Sequence, residues 1–218
     1  MQPSAPRPLP EAITCLDTGF LQPEMAASYL VESAGRYAFI ETGTALGVPG
    51  LLSELERMGA TREQVDYIIP THVHLDHAGG AGSLMAACPN ARLVVHPRGA
   101  RHMIDPSKLW AGATAVYGEE EMRHTYGEIV PVAEERVVEA LDEFELDFNG
   151  RPLKFIDTPG TRQTPLLRLG RTEPRFLYRR YLWNVAAQFR HRQGGPSSTS
   201  PVRPPNSIPR PGMRPWSG

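Results

Sequence analysis

Four side chains able to bind a metal lie within six residues, His72-Val73-His74-Leu75-Asp76-His77. Imidazole nitrogen and carboxylate oxygen suit zinc, iron or manganese. Alternation along an extended segment puts His72 and His74 on one side. Asp76 and His77 then turn toward a second point, so the run can feed two metals a few ångströms apart. A hydroxide held between two metals is a nucleophile at neutral pH, because each metal lowers its pKa. The chemistry implied is hydrolysis at an electrophilic carbonyl or phosphorus, with the metals stabilising the developing oxyanion. The blander reading is a solvated, histidine-rich loop. It loses weight because an apolar run precedes the motif and Gly79-Gly80 follows it. Lone histidines carry the opposite expectation: His102 and His124 read as surface residues. His96, before Pro97, is a weaker candidate for the same pocket.

The elements around the motif must present it. Val65–Pro70 is a short apolar run of β-formers and predicts a buried strand, with the histidines on the loop leaving its end. Gly79-Gly80 leads into a helix over Ala81–Ala87. Upstream, Ile13–Asp17, Ser28–Val31 and Tyr37–Glu41 read as strands, with Gly35 turning the chain between the last two. Leu51, Leu52, Leu55 and Met58 fall at helical spacing within Val48–Met58, and Gly59 stops that helix. Thr61 and Gln64 stand as in a capping box. Downstream, Ala91–His96 is the next strand, and residues 98–127 read as mostly helical. Val137–Ala140, Phe144–Phe148 and Leu153–Ile156 read as strands, the last two joined by an Asn149-Gly150 hairpin turn. Strands and helices in mixed order predict a layered α/β domain. The helical segment 98–127 is expected to cap the pocket. Its Trp110 and Tyr117 read first as core packing and second as substrate contacts.

A chain of 218 residues suits one domain, with room for a tail. Overall charge is close to neutral, which argues against a global field for nucleic acid or anionic membrane. No apolar run reaches the ~18 residues of a membrane span. The first ten residues hold four prolines and no apolar core, unlike a secretory signal. Cys15 and Cys88 make neither a disulfide framework nor a cysteine metal site. The expectation is a soluble, cytoplasmic protein acting on a small molecule. Its charge is unevenly spread, however. Residues 1–160 hold 12 Lys+Arg and 23 Asp+Glu, whereas residues 161–218 hold 11 Arg, one acid (Glu173) and nine prolines.

With these residues in view, Ile13 to Gly160 resembles the first two-thirds of a metallo-β-lactamase-fold hydrolase, of a glyoxalase-II-like kind. The matching features are the opening strands, the Glu41-Thr42-Gly43 turn, the strand entering THVHLDHAGG, and Phe155-Ile156-Asp157-Thr158-Pro159-Gly160. The resemblance implies an αββα sandwich with two divalent metal ions, zinc first among them, at one edge. It implies that His72 and His74 bind the first metal and Asp76 and His77 the second. Asp76 would also act in catalysis, orienting the nucleophile or protonating the leaving group. A thioester, lactone or similar ester is the substrate class implied, with phosphodiesters and β-lactams as further options. The family has Asp where Glu41 stands, a departure expected to matter little.

The resemblance breaks at Gly160. A third histidine normally follows this turn, an aspartate in a later Gly-Asp-Thr strand end bridges the metals, and a last histidine comes near the C-terminus. Here Thr161 follows Gly160, no Gly-Asp occurs later, and the one later histidine is His191. The C-terminal half of the sandwich is therefore incomplete as written. The genetic code suggests why. Synonymous codons for Gly160 onward, read one base on, permit Gly-His-Ala-Lys-His-His-Cys-Cys-Val-Trp-Asp. Continued through Phe189 they permit ERSRGFFTGDTFGMSLRNF. That frame restores a histidine directly after the turn and a Gly-Asp-Thr strand end about twenty residues on. Trp183 followed by Asn184 leaves no choice but Gly in that frame. The division is thus a domain segment over 1–160 and an Arg/Pro-rich, out-of-frame tail over 161–218, expected to be disordered. Two rivals remain: a catalytically impaired remnant, and a basic tail binding nucleic acid, which its sparse aromatics do not favour.

Overall fold

Short β-branched and aromatic runs build a seven-stranded sheet in the first two-thirds of the chain. The computed structural model describes residues 3–157 and, as backbone alone, residues 165–169 and 175–176. The strands are β1 (Arg7–Leu9), β2 (Ile13–Asp17), β3 (Ala27–Ser33), β4 (Arg36–Ile40), β5 (Val65–Ile69), β6 (Arg92–Val95) and β7 (Val137–Glu139), adjacent in that order. Neighbours from β1 to β4 run antiparallel, and those from β4 to β7 run parallel. The change of direction has a local cause. Ala34 and Gly35 both adopt left-handed φ, the tight-turn geometry that joins β3 to β4 as a hairpin. The parallel strands need crossovers, and the helices supply them. Helix α1 (Val48–Arg57) joins β4 to β5, and α2 (Leu75–Ala78) with α3 (Ala81–Ala87) joins β5 to β6. Three helices, α4 (Pro97–Ile104), α5 (Ser107–Tyr117) and α6 (Glu119–Tyr126), join β6 to β7.

Two cores follow from the alternation of side chains along the strands. Phe39, Val65, Ile68, Leu93 and Val95 point to one face, where Leu51, Leu52 and Leu55 of α1 and Leu84 and Met85 of α3 cover them. Ala38, Ile40, Ile69 and Val94 point to the other face and meet Phe148, Leu153 and Phe155 of a second sheet. That sheet holds β8 (Glu145–Phe148), β9 (Arg151–Asp157), β10 (Pro165–Leu169) and β11 (Arg175–Phe176), all antiparallel. Asn149 and Gly150 make the β8–β9 turn with left-handed φ at both residues. Helix, sheet and sheet thus form three layers of an α/β sandwich among the described residues. A helical layer outside the second sheet, expected from the sequence, lies outside them. So does most of the Arg/Pro-rich segment, of which only the strand backbones β10 and β11 are described. No helix among the described residues is long and apolar enough to cross a membrane.

Most expected elements occupy their expected places, including the Thr61–Gln64 capping box, in which Gln64 Oε1 accepts from the Thr61 backbone N–H at 2.7 Å. Three differences matter. Strand β1 had no apolar signal, and it pairs with β2 at the sheet edge. Residues 98–127 divide into three helices because Pro106 and Gly118 interrupt the run. Tyr117 is not core: α5 lies on the surface with no buried residue, and Tyr117 is 61% exposed. Trp110 is half-buried, with the Arg123 guanidinium 5.9 Å above its ring.

Candidate metal centre

Parallel strands align their carboxyl ends, and loops leaving those ends converge. Here Glu41 follows β4, Pro70-Thr71-His72 follow β5, and His96 follows β6. The motif leaves β5 extended through His74 and then turns. His74 is the N-cap of α2, which places Asp76 and His77 in that helix's single turn. The four donors read from sequence are therefore neighbours in pairs, His72 beside His74 and His77, and His77 beside Asp76. The His72 and His77 rings have centroids 4.1 Å apart, and His72 and His74 4.7 Å apart. His77 Nε2 lies 3.4 Å from Asp76 Oδ2. His74 is exposed on the solvent side, Asp76 and His72 are half-buried, and His77 lies deeper.

Glu41, read from sequence only as a departure from the family's Asp that should matter little, lies at the centre of the cluster. It is 6% exposed, and its backbone takes a left-handed φ of 63° at the end of β4, which turns the side chain under the motif. Its Oε1 accepts from the Thr71 backbone N–H at 3.2 Å and from the Thr71 hydroxyl. Its Oε2 is buried without a hydrogen bond of regular geometry, and His77 Nδ1 lies 3.3 Å from it. Glu41, His72 and His77 each offer a ligand atom within 4.8 Å of the others. The available signal was positional: an acid at the carboxyl end of the strand parallel and adjacent to the one carrying the motif.

The two loops are bolted together by backbone. Thr42 donates from its N–H (2.8 Å) and its hydroxyl (2.9 Å) to the His77 carbonyl, and Gly80 N–H donates to the Gly43 carbonyl at 2.9 Å. The glycine after the motif is needed for closeness. A Cβ on Gly80 would sit 2.7 Å from Val48 Cγ2 and 2.9 Å from the Thr44 carbonyl oxygen.

Electrostatics agree with a cation site. Burial, and then the charges of His77 and His74, hold His72 down to about 3, so its neutral, metal-binding form is the resident one. Burial pulls His77 down too, but hydrogen bonding and charge from Glu41, then Asp76, outweigh it and raise the net value. Crowded imidazoles above a buried carboxylate oxygen lacking a regular hydrogen bond are a donor set that fits a divalent ion.

The other histidines separate. His96 is half-buried at the same sheet edge; its Nδ1 accepts from Arg98 N–H at 3.2 Å and its Nε2 stands 3.5 Å from Asp157 Oδ2. It therefore brings the end of β6 close to the end of β9. His124 is exposed, and His102 is half-buried on α4. Among the aromatics of 98–127, Tyr126 packs against Phe20 with centroids 5.7 Å apart. Burial pushes its phenol up and the charge of Asp76 adds to the shift.

The metallo-β-lactamase superfamily model matches residues 21–167. No curated protein matches the chain. Solved structures do. A HARLDQ-motif mutant of a metallo-β-lactamase from Cronobacter sakazakii is similar at 23% identity and a TM-score of 0.58, covering 77% of this chain and 60% of its own. MEM-A1, a subclass B3 metallo-β-lactamase isolated from a soil metagenome library, is similar at 20% identity and a TM-score of 0.60, covering 80% and 61%. The Rm3 metallo-β-lactamase is similar at 20% identity and a TM-score of 0.58, covering 86% and 72%. At these identities the likeness is one of fold. The chain spans about 60% of the length of the first of these structures.

Proposed function

Because the chain belongs to the metallo-β-lactamase superfamily, we propose that it is built for metal-dependent hydrolysis of a small thioester, ester or lactone. The observation that carries this reading is the convergence of His72, His74, Asp76 and His77 at the carboxyl end of β5. His72 and His74 are the donors for one divalent ion and Asp76 and His77 for a second, zinc before iron or manganese. Such ions, when bound, lower the pKa of water and draw charge from a carbonyl oxygen. The chain's own residues do the rest. Asp76, half-buried in the single turn of α2, would orient the nucleophile or protonate the leaving group. Tyr126, which packs on Phe20, is near enough for the charge of Asp76 to reach its phenol. Cys15 and Cys88 are both free thiols, which fits a cytoplasmic location.

A second reading rests on one specific observation. Thr161 stands where the family places a histidine, and no Gly-Asp follows it. On that ground the chain as written is an impaired remnant, and its missing ligands lie in the frame one base on from Gly160. Metal content separates the readings. The 218-residue chain and a chain continued in the shifted frame are expressed, and bound zinc is counted by mass spectrometry of the metal. The expected result is fewer than two equivalents in the first, two in the second, and thioester or lactone hydrolysis in the second alone. Two tightly held equivalents in the 218-residue chain would sink the remnant reading. A shifted-frame chain that holds no more metal and hydrolyses nothing would sink the hydrolase reading. The nucleotide sequence at the Gly160 codon tests the frame directly.

A further inference from the structure

Amphipathic helices turn their apolar side to whatever covers them. Helix α5 turns one such side to water. Lys108, Ala111, Gly112, Ala115 and Val116 recur at steps of three and four residues, which puts them on one face. All five are exposed, Val116 at 73%. The opposite side of the helix is the one the domain holds. It carries Trp110, half-buried beneath the Arg123 guanidinium of α6, and Thr114, whose hydroxyl is buried. Gly112 lies at the middle of this 11-residue helix, where glycine is the poorest choice after proline. No contact within the chain asks for it: a Cβ there would meet nothing within 4 Å among the described residues. Gly82 and Gly99 differ, since a Cβ on either would strike a neighbour at under 3.0 Å. A helix centre bare of side chain on its open side admits a second backbone.

Two charges flank the face. Lys108 stands in the first turn of α5, the wrong end of its own helix dipole for a cation. Glu120 stands just past the other end, on the side of α6 opposite the buried Met122. Neither makes an ion pair among the described residues, whereas Arg123 holds Glu119 at 2.8 Å and Glu121 accepts from the Thr125 hydroxyl at 2.8 Å. An antiparallel copy of α5, related by a two-fold axis at Gly112, matches these ends. Each Lys108 then lies at the carboxyl end of the other copy's α5, next to its Glu120. We propose that the α5 face joins two copies of this chain as an antiparallel helix pair crossing at Gly112, with Lys108 of each against Glu120 of the other. Small side chains at 111, 112 and 115 let the backbones approach, and Val116 closes the seam at either end. A two-fold contact needs a surface complementary to itself, and this one is, in shape at its glycine and in charge at its ends. Nucleic acid and anionic membrane do not fit, because Glu119, Glu120 and Glu121 border the face and repel both. A single helix face is smaller than the about 800 Å² per partner of a standard interface, so the dimer forms only as concentration rises. The inference stands apart from the metal-site reading.

Sedimentation velocity of the full chain, over a wide concentration range at low salt, tests it. The parent chain should pass from monomer to dimer as concentration rises. Val116→Glu sits at an exposed position, so the fold survives it, but it places an uncompensated carboxylate in the seam twice per dimer. It should weaken association by more than about 100-fold. Lys108→Glu and Glu120→Lys each remove two exposed ion pairs per dimer and should weaken association about 2- to 30-fold. The double variant K108E/E120K exchanges the charges and should restore parent association. Circular dichroism checks that each variant keeps the fold. A parent chain that stays monomeric overturns the proposal, whether α5 is left open or is covered by the chain's own Arg-rich residues after 176. Amide hydrogen exchange along α5 separates those two cases. A dimer indifferent to V116E overturns it too, as does a charge exchange that fails to restore what the single substitutions lose.

Discussion

Neighbouring histidines in one motif do different work, and burial decides which. His74 is exposed, whereas His77 sits against the buried carboxylate of Glu41. His74→Ala and His77→Ala should both lose metal, but only His77→Ala should lose stability. Removing His77 strands a buried carboxylate, on the order of 3 kcal/mol. Removing an exposed ring costs about 0.5 kcal/mol or less. Urea unfolding of the metal-free variants measures this; equal costs would mean the Glu41–His77 contact carries no weight. His72 supplies a pH signature. Its folded value of about 3 lies below its unfolded value of 6.5, so the fold favours the neutral ring. That contribution is complete above about pH 6.5 and is lost as pH falls toward 3. His77, raised in the fold, works oppositely: its contribution is present below its unfolded value and is lost as pH rises through the folded one. Replacing His72 by Asn should therefore flatten the fall in metal-free stability between pH 6.5 and 3. An unchanged slope would assign that fall to other groups.

At the scale of elements, the motif is held by the loop after β4 as much as by its own strand. Gly80 is not there for its φ, which is an ordinary −86°. It is there because the Thr42 and Thr44 carbonyls and Val48 leave no room for a Cβ. Gly80→Ala should force the two loops apart, lowering stability by about 1–3 kcal/mol and weakening zinc binding in parallel. Retained affinity in a destabilised G80A chain would show that the loops move independently. Arg136 plays a similar part at a distance. Its guanidinium donates to the carbonyls of Met85, Cys88 and Ala91, satisfying the end of α3 and the loop beyond it. The helix that follows the metal motif is thereby anchored near β7, close to 50 residues downstream.

At the scale of the whole molecule, the second sheet braces the first from the side opposite the helices. Phe148 is fully buried between them, edge-on to Tyr67 at 5.8 Å, and Asn149 donates to Asp66 Oδ2 across the same junction at 2.9 Å. Phe148→Ala should cost about 3–5 kcal/mol. Because Tyr67 lies on β5, the loss should reach the metal loop as well, read as lower zinc affinity beside a lower unfolding midpoint. A variant with the stability loss but full affinity would make the second sheet a passive support.

The sequence alone determined the run of histidines and aspartate, the strand before it and the family. Those are local facts: ligand types, a period-two apolar run and a glycine pair are written within a dozen residues. It also showed that Thr161 directly follows Gly160 and that no Gly-Asp occurs in the residues after it. Tertiary structure alone decided the part played by Glu41. An acid at the end of one strand carries no local mark of the motif 30 residues on. Only the parallel pairing of β4 with β5 brings the two strand ends side by side. Burial separated His77 from His74, and it moved Tyr117 from the expected core to the surface. Exposure depends on what packs against a residue, and no spacing rule within a helix reports that.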